Sequence, residues 1–243
     1  MGKLLLMLGI NLKSFVKFKI KLLKKKRTIF FAQTILLWIF FVGCQRVMML
    51  AYGIKQPKYL DKKEVQQKNE ALKNDPYHSF ILKRTFFAQI ETRDTLHDKK
   101  IVKCSPMISK YEQPLQVLYF NDSGELVSFH NNCNAGGFPK LNWNNNHQFD
   151  KFIPKTSIPL SDSIISFRLI VSNLDPLYNQ HGVPENGIKV VVFWSAFMFK
   201  QSKALIKTVK KNLGLDESHL AQIIYVNTDN CFIDETYSKQ INK

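Results

Sequence analysis

The chain has 243 residues, 45% of them hydrophobic, which is enough for one anchored domain and excludes disorder over most of its length. The formal charge of +16 invites a nucleic-acid reading, but its distribution argues against one. Residues 1–27 hold nine Lys/Arg and no acid, Arg46 adds another, and the remaining 25 basic residues face 19 acids. The body therefore carries an excess of about six, which fits a solvated surface, and no nucleic-acid partner is expected.

The basic block runs directly into "IFFAQTILLWIFFVG", Ile29 to Gly43, whose only polar side chains are Gln33 and Thr34. That is shorter than the roughly 20 apolar residues of a full crossing. It has the length of a signal-peptide core or a short anchor. The charge asymmetry places the block in the cytoplasm and the chain after Gly43 on the far side. "FVGC" resembles a bacterial lipobox, in which a small residue precedes a lipidated cysteine, here Cys44. Lipidation at Cys44 and an uncleaved helix give the same expected topology: a membrane-anchored domain on the extracytoplasmic, periplasmic side. Residues 1–44 are read as leader and anchor, residues 45–76 as a polar spacer, and residues 77–243 as the domain.

Within the spacer, Asp61 to Lys73 reads as a helix closed by Asn74-Asp75-Pro76. "HSFILKRTFF" reads as a strand, and "KKIVKCSPMISKYE" as a helix with Pro106 near its first turn. "PLQVLYFNDSGELVSFH" alternates around Asn-Asp-Ser-Gly and predicts a β-hairpin. The Asn-rich "HNNCNAGGFPKLNWNNNHQFDKF" predicts irregular structure, and "DSIISFRLIVSN" a strand or short helix. "IKVVVFW" is a buried strand by its β-branched run. Gln201 to Leu213 predicts a helix with Ala204, Leu205, Val209 and Leu213 on one face and Lys203, Lys207, Lys210 and Lys211 toward the other. "AQIIYVNTD" is a further strand. The strand–helix–strand order makes a βαβ unit with a parallel pair.

Here "VVVFWSAFMFKQSKALIKTVKKNL…QIIYVNTD" resembles the strand, Phe-Trp, active-site loop, helix and strand of thioredoxin-like proteins. "QPLQVLYFNDSGELVSF" resembles that family's second half, in which a cis-proline opens a hairpin and faces the active-site cysteines; Pro114 occupies that place. The resemblance implies an α/β fold with a thioredoxin-like sheet and flanking helices. The blocks come in permuted order, hairpin before βαβ unit. The family's Cys-x-x-Cys falls on Met198 to Gln201. Disulfide exchange needs a thiolate to attack and a second sulfur to resolve, and Met198 and Gln201 provide neither.

Two functions follow. In the first, a redox-inactive module binds another extracytoplasmic protein or peptide through Phe197, Met198, Phe199, Lys200 and Pro114. Against this, one or two of the apolar three could plug the helix N-terminus into the core. In the second, Cys133 is a nucleophile with His130 as its base. A spacing of three along a strand puts those two on opposite faces, which favours a disulfide half or a buried small side chain for Cys133. His130, Cys133 and His147 form no dense metal-ligand set, and no phosphate loop or nucleotide-binding motif is present. No cofactor is expected.

Overall fold

A computed structural model describes residues 49, 51–90, 111–160, 165–179, 182–184, 186–217 and 220–233. The basic leader, the Ile29–Gly43 segment, Cys44 and Cys104 lie outside the described residues. Among those described, no helix is long and apolar enough to cross a membrane. The described residues from Tyr52 onward form one compact unit.

The unit is α/β, built on a mixed six-stranded sheet. Its strands are β1 (Ser79–Leu82), β2 (Gln116–Phe120), β3 (Leu126–Asn131), β4 (Leu174–Pro176), β5 (Lys189–Trp194) and β6 (Gln222–Asn227). Their order is β3-β2-β5-β6-β1-β4. The pairs β5–β6 and β1–β6 are parallel, while β2–β3, β2–β5 and β1–β4 are antiparallel. The hairpin and the βαβ unit thus share one sheet: Gln116 pairs with Phe193 and Val117 with Val192. Among the described residues, the α-helices with both ends defined are α1 (Lys62–Ala71), α2 (Phe167–Val171) and α3 (Phe199–Leu213), and residues 86–90 are also helical.

Burial on both faces explains the unbroken apolar run of β5, all six residues of which are buried. One face collects Leu118, Phe120, Phe129, Val191, Phe193, Ile224 and Val226 against Phe86, Ile90, Leu169 and Ile170. The other faces α3. There the Tyr119 hydroxyl donates to Asn212 Oδ1 at 3.0 Å, and Asn212 Nδ2 donates to Phe149 O and Lys151 O. The Asn-rich stretch is irregular, as its composition predicts, and it is tied to the C-terminal half of α3 by Asn212.

Several sequence expectations are sharpened or corrected. The hairpin turns where expected: Gly124 N donates to Asn121 O, Asn121 Oδ1 accepts from Glu125 N, and Gly124 takes φ +82°, which favours glycine. The strand read from "HSFILKRTFF" is only Ser79–Leu82, and "SFRLIV" is helical. The buried stripe of α3 is Gln201, Ser202, Leu205, Ile206, Val209 and Asn212, while Ala204 is exposed and Leu213 half-buried. Apolar periodicity could not place Asn212, because its burial depends on carbonyls more than sixty residues away in sequence. The region read as spacer also packs into the unit. In α1, Val65 is buried and the buried Asn69 Nδ2 donates to Ser79 Oγ at 3.0 Å. The helix expected at "KKIVKCSPMISKYE" lies mostly outside the described residues.

Candidate functional site

The parallel strands β1, β5 and β6 end on the same side of the sheet, and antiparallel β2 begins there. Ligand crevices in α/β sheets lie at the carboxyl ends of strands. The sequence-predicted loop occupies this end, between Trp194 and Phe199.

Its conformation is set by one carboxylate. Asp229 follows β6 and is 1% exposed. Its oxygens accept from Ser195 Oγ at 2.9 Å, from Ala196 N at 2.7 and 3.0 Å, and from Phe197 N at 3.1 Å, as well as from Asn227 Nδ2. Burial pushes the Asp229 carboxyl above its ordinary range, and the donors at Ala196, Asn227, Ser195 and Phe197 pull it back in part. Ser202 makes a second tie. Its Oγ accepts from Ser195 N at 3.0 Å and donates to Ser195 O at 2.8 Å. A buried polar group of this kind is tolerated because it is so fully hydrogen-bonded.

Pro114 reaches the same place. Thr228 Oγ1 lies 3.0 Å from Pro114 O and 3.3 Å from Trp194 O, and Thr228 N donates to Trp194 O at 3.0 Å. The Gln113–Pro114 bond is not among the cis peptides of the described residues, which are Phe138–Pro139 and Phe152–Ile153. That departs from the proline geometry the resemblance implies.

The apolar trio divides. Met198 is the N-cap of α3 and only 4% exposed, so it plugs the helix into the core. Phe197 and Phe199 are half-buried, and Lys200 is exposed. Phe197 sits edge-on to Phe232 at 6.1 Å, and Lys68 Nζ lies 5.8 Å from the Phe199 ring centre. Gln201 is the third helical residue, and its buried Nε2 donates to Tyr52 O and Pro139 O, both at 3.0 Å. The surface is already contacted by the chain's own segment 52–55. Lys55 N donates to Phe197 O at 2.7 Å, Ile54 is buried, and Gly53 at φ +72° lies against Lys200. A Cβ at Gly53 would come 2.9 Å from Lys200 Cδ.

The Cys133–His130 pair is not assembled. His130 lies buried on β3, with Nε2 3.1 Å from Ser128 Oγ and its ring 4.6 Å from Phe149. Burial lowers it to about 4, against an opposing hydrogen bond from Gln148. Cys133 is exposed beyond the strand, its Sγ 3.2 Å from Gln113 Oε1. Cys133 and Cys231 are both free thiols. Burial pushes Cys231 up to about 12, and its Sγ lies 3.6 Å from Leu82 O. A thiol so raised is a poor nucleophile. His147 is exposed and bonded to Asp150 at 2.8 Å.

Sequence reasoning missed Asp229, Thr228 and the exposed Phe138, whose neighbour Pro139 accepts from Gln201. The Asp in "NTDN" was visible as the end of a strand. Its partnership with a loop more than thirty residues upstream was not. Comparison with protein-family models, curated proteins and solved structures finds no match.

Proposed function

We propose that this chain is a membrane-tethered, thioredoxin-like domain on the extracytoplasmic side, without dithiol chemistry, that binds a polypeptide segment at the carboxyl ends of β5 and β6. The observation carrying this reading is the main-chain bond from Lys55 N to Phe197 O. A stretch of the chain's own polypeptide, leaving a turn at Tyr52–Gly53, already docks on this loop through its backbone, with Ile54 as a buried anchor. Backbone pairing with a side-chain pocket is a general mode of peptide recognition. The shared sheet, the placement of Pro114 by Thr228, and Met198 and Gln201 at the N-cap and third helical positions support the family resemblance. An enzymatic role for Cys133 lacks a base, since the His130 ring is committed to Ser128 and Gln148.

Two experiments test the proposal. With Cys104, Cys133 and Cys231 replaced, Met198→Cys with Gln201→Cys is expected to form an intramolecular disulfide. One of its thiols should titrate below the free value of about 8.5, because the first position lies at a helix N-terminus. Two thiols that stay reduced under mild oxidant and titrate normally would remove the family reading. For binding, Ile54→Asp is expected to unseat the segment 52–55. A synthetic peptide spanning residues 51–60 should then shift the amide resonances of Ala196, Phe197 and Phe199. If those amides do not respond in the variant, the loop is not a peptide site.

The tether has its own check. Protease added from the extracytoplasmic side should remove the body, and Cys44→Ser should abolish fatty-acid labelling if the anchor is a lipid. A soluble full-length pool would defeat the tethered reading.

A further inference from the structure

Helix α3 carries five lysines and no acid across Phe199–Leu213. Lys203, Lys207 and Lys211 are exposed and recur at a spacing of four, so they form a stripe along one side of the helix over roughly 12 Å. Neither Lys203 nor Lys207 makes an ion pair with a described residue. Like charges at this spacing destabilise a helix slightly, and nothing in the packing of α3 requires them.

Both flanks add positive charge. On one side run exposed Lys140 and Lys151, held beside α3 by the Gln201 bond to Pro139 O and the Asn212 bond to Lys151 O. On the other side, Lys210 Nζ donates to Lys73 O at 2.7 Å and lies over the Tyr225 ring, and Lys68 lies over Phe199. The acids nearby are largely engaged. Asp150 holds His147 and also feels Lys211, Asp75 holds His78, and Glu64 holds Lys58. Glu70 of α1 is the remaining exposed acid of that helix.

We infer that the Lys203–Lys207–Lys211 face of α3 binds anionic phospholipid headgroups. This rests on the tethered reading. The folded unit begins at Tyr52, beside the N-terminal end of α3, where Gln201 donates to Tyr52 O and Gly53 packs on Lys200. The covalent connection thus adjoins the lysine stripe. A bilayer surface is a flat array of anionic oxygens, which a row of flexible ammonium groups matches without the planar recognition that arginine provides. Each lysine near an anionic surface strengthens association roughly fivefold, so three acting together give about a hundredfold.

The test uses the full chain reconstituted in nanodiscs, either phosphatidylcholine alone or phosphatidylcholine with phosphatidylglycerol. Lysine acetylation rates are read by mass spectrometry. Acetylation of Lys203, Lys207 and Lys211 is expected to slow severalfold in the anionic discs and recover at about 1 M salt, where screening reaches about 3 Å. Lys155, exposed elsewhere, should react alike in both. In the variant Lys203→Glu, Lys207→Glu, Lys211→Glu, any protection of the neighbouring Lys140 and Lys151 should disappear. Equal rates in the two discs overturn the inference, as does protection that appears only on adding duplex DNA. If the chain stays out of the discs, the tethered reading fails. Anionic vesicles added to that aqueous protein then decide the headgroup inference separately, protection of the three lysines upholding it and unchanged rates defeating it.

Discussion

Helices α1 and α3 are both lysine-bearing and lie side by side, yet they begin in opposite ways. At the start of α1, Asp61 accepts from Glu64 N at 2.7 Å and Glu64 accepts from Asp61 N at 3.2 Å, a reciprocal capping box spanning four residues. The N-cap of α3 is Met198, which makes no side-chain cap. Its preceding loop is held by Asp229, thirty-odd residues further on and beyond another strand. One helix start is written locally and the other is imposed by the fold. The local cap makes a helix. The remote one makes a rigid loop at the carboxyl end of a sheet, which is what a recognition surface needs.

The contrast can be broken first at its strong end. Asp229→Ala leaves the Ala196 amide, the Ser195 hydroxyl and Asn227 Nδ2 without their acceptor, while Phe197 N keeps Ser195 Oγ at 3.2 Å. At 1–3 kcal/mol for each unmet donor, the loss should be about 4 kcal/mol by urea unfolding. A loss below about 1 kcal/mol would show that the loop holds itself.

The next largest effect is on the pH axis, where buried and exposed groups should separate again. Burial holds His130 at about 4 in the folded chain against 6.5 when open, so the unfolded chain takes up the proton first. Stability is therefore full above pH 6.5 and falls as pH drops toward 4, by about 3 kcal/mol. His130→Asn should flatten that slope. Glu64, half-exposed and lowered mainly by its bond to Lys58, should leave little trace in the same titration.

Ser202→Ala removes both bonds to Ser195 and should cost about 2 kcal/mol. Asp61→Ala removes an ordinary exposed cap and should cost about 1 kcal/mol. If Asp61→Ala exceeds Ser202→Ala in denaturant midpoint shift, the ranking of local below remote support is wrong.

The same division explains what could be read from the sequence. The α1 cap, the hairpin with its Asn-Asp-Ser-Gly turn, the β-branched β5 and the amphipathic α3 all announce themselves within a window of a few residues. Strand β4 did not, because three residues of Leu-Asp-Pro become a strand only by pairing with β1. Nor did Asn212, buried for the sake of two distant carbonyls and a tyrosine. At the candidate site the loop and Pro114 lie at one end of one sheet. The burial of Met198, the docking of 52–55 and the grip of Asp229 came from tertiary contacts that no short window contains.

The parallel pairing of Ser79 with Tyr225 has a consequence for how the protein is made. Synthesis of the chain between them takes roughly 7–30 s at ribosomal rates. Strand β1 emerges before β6 and must wait that long for it. The β5–α3–β6 unit can form from contiguous chain as soon as it is complete, and β1 joins afterwards. Until β6 is made, the edge of β1 that takes it stays open, even where β4 has already paired with the other edge. The vulnerable species during biogenesis is therefore the half-made chain, with one edge of β1 open and no β6, where exposed strand edges favour misassembly.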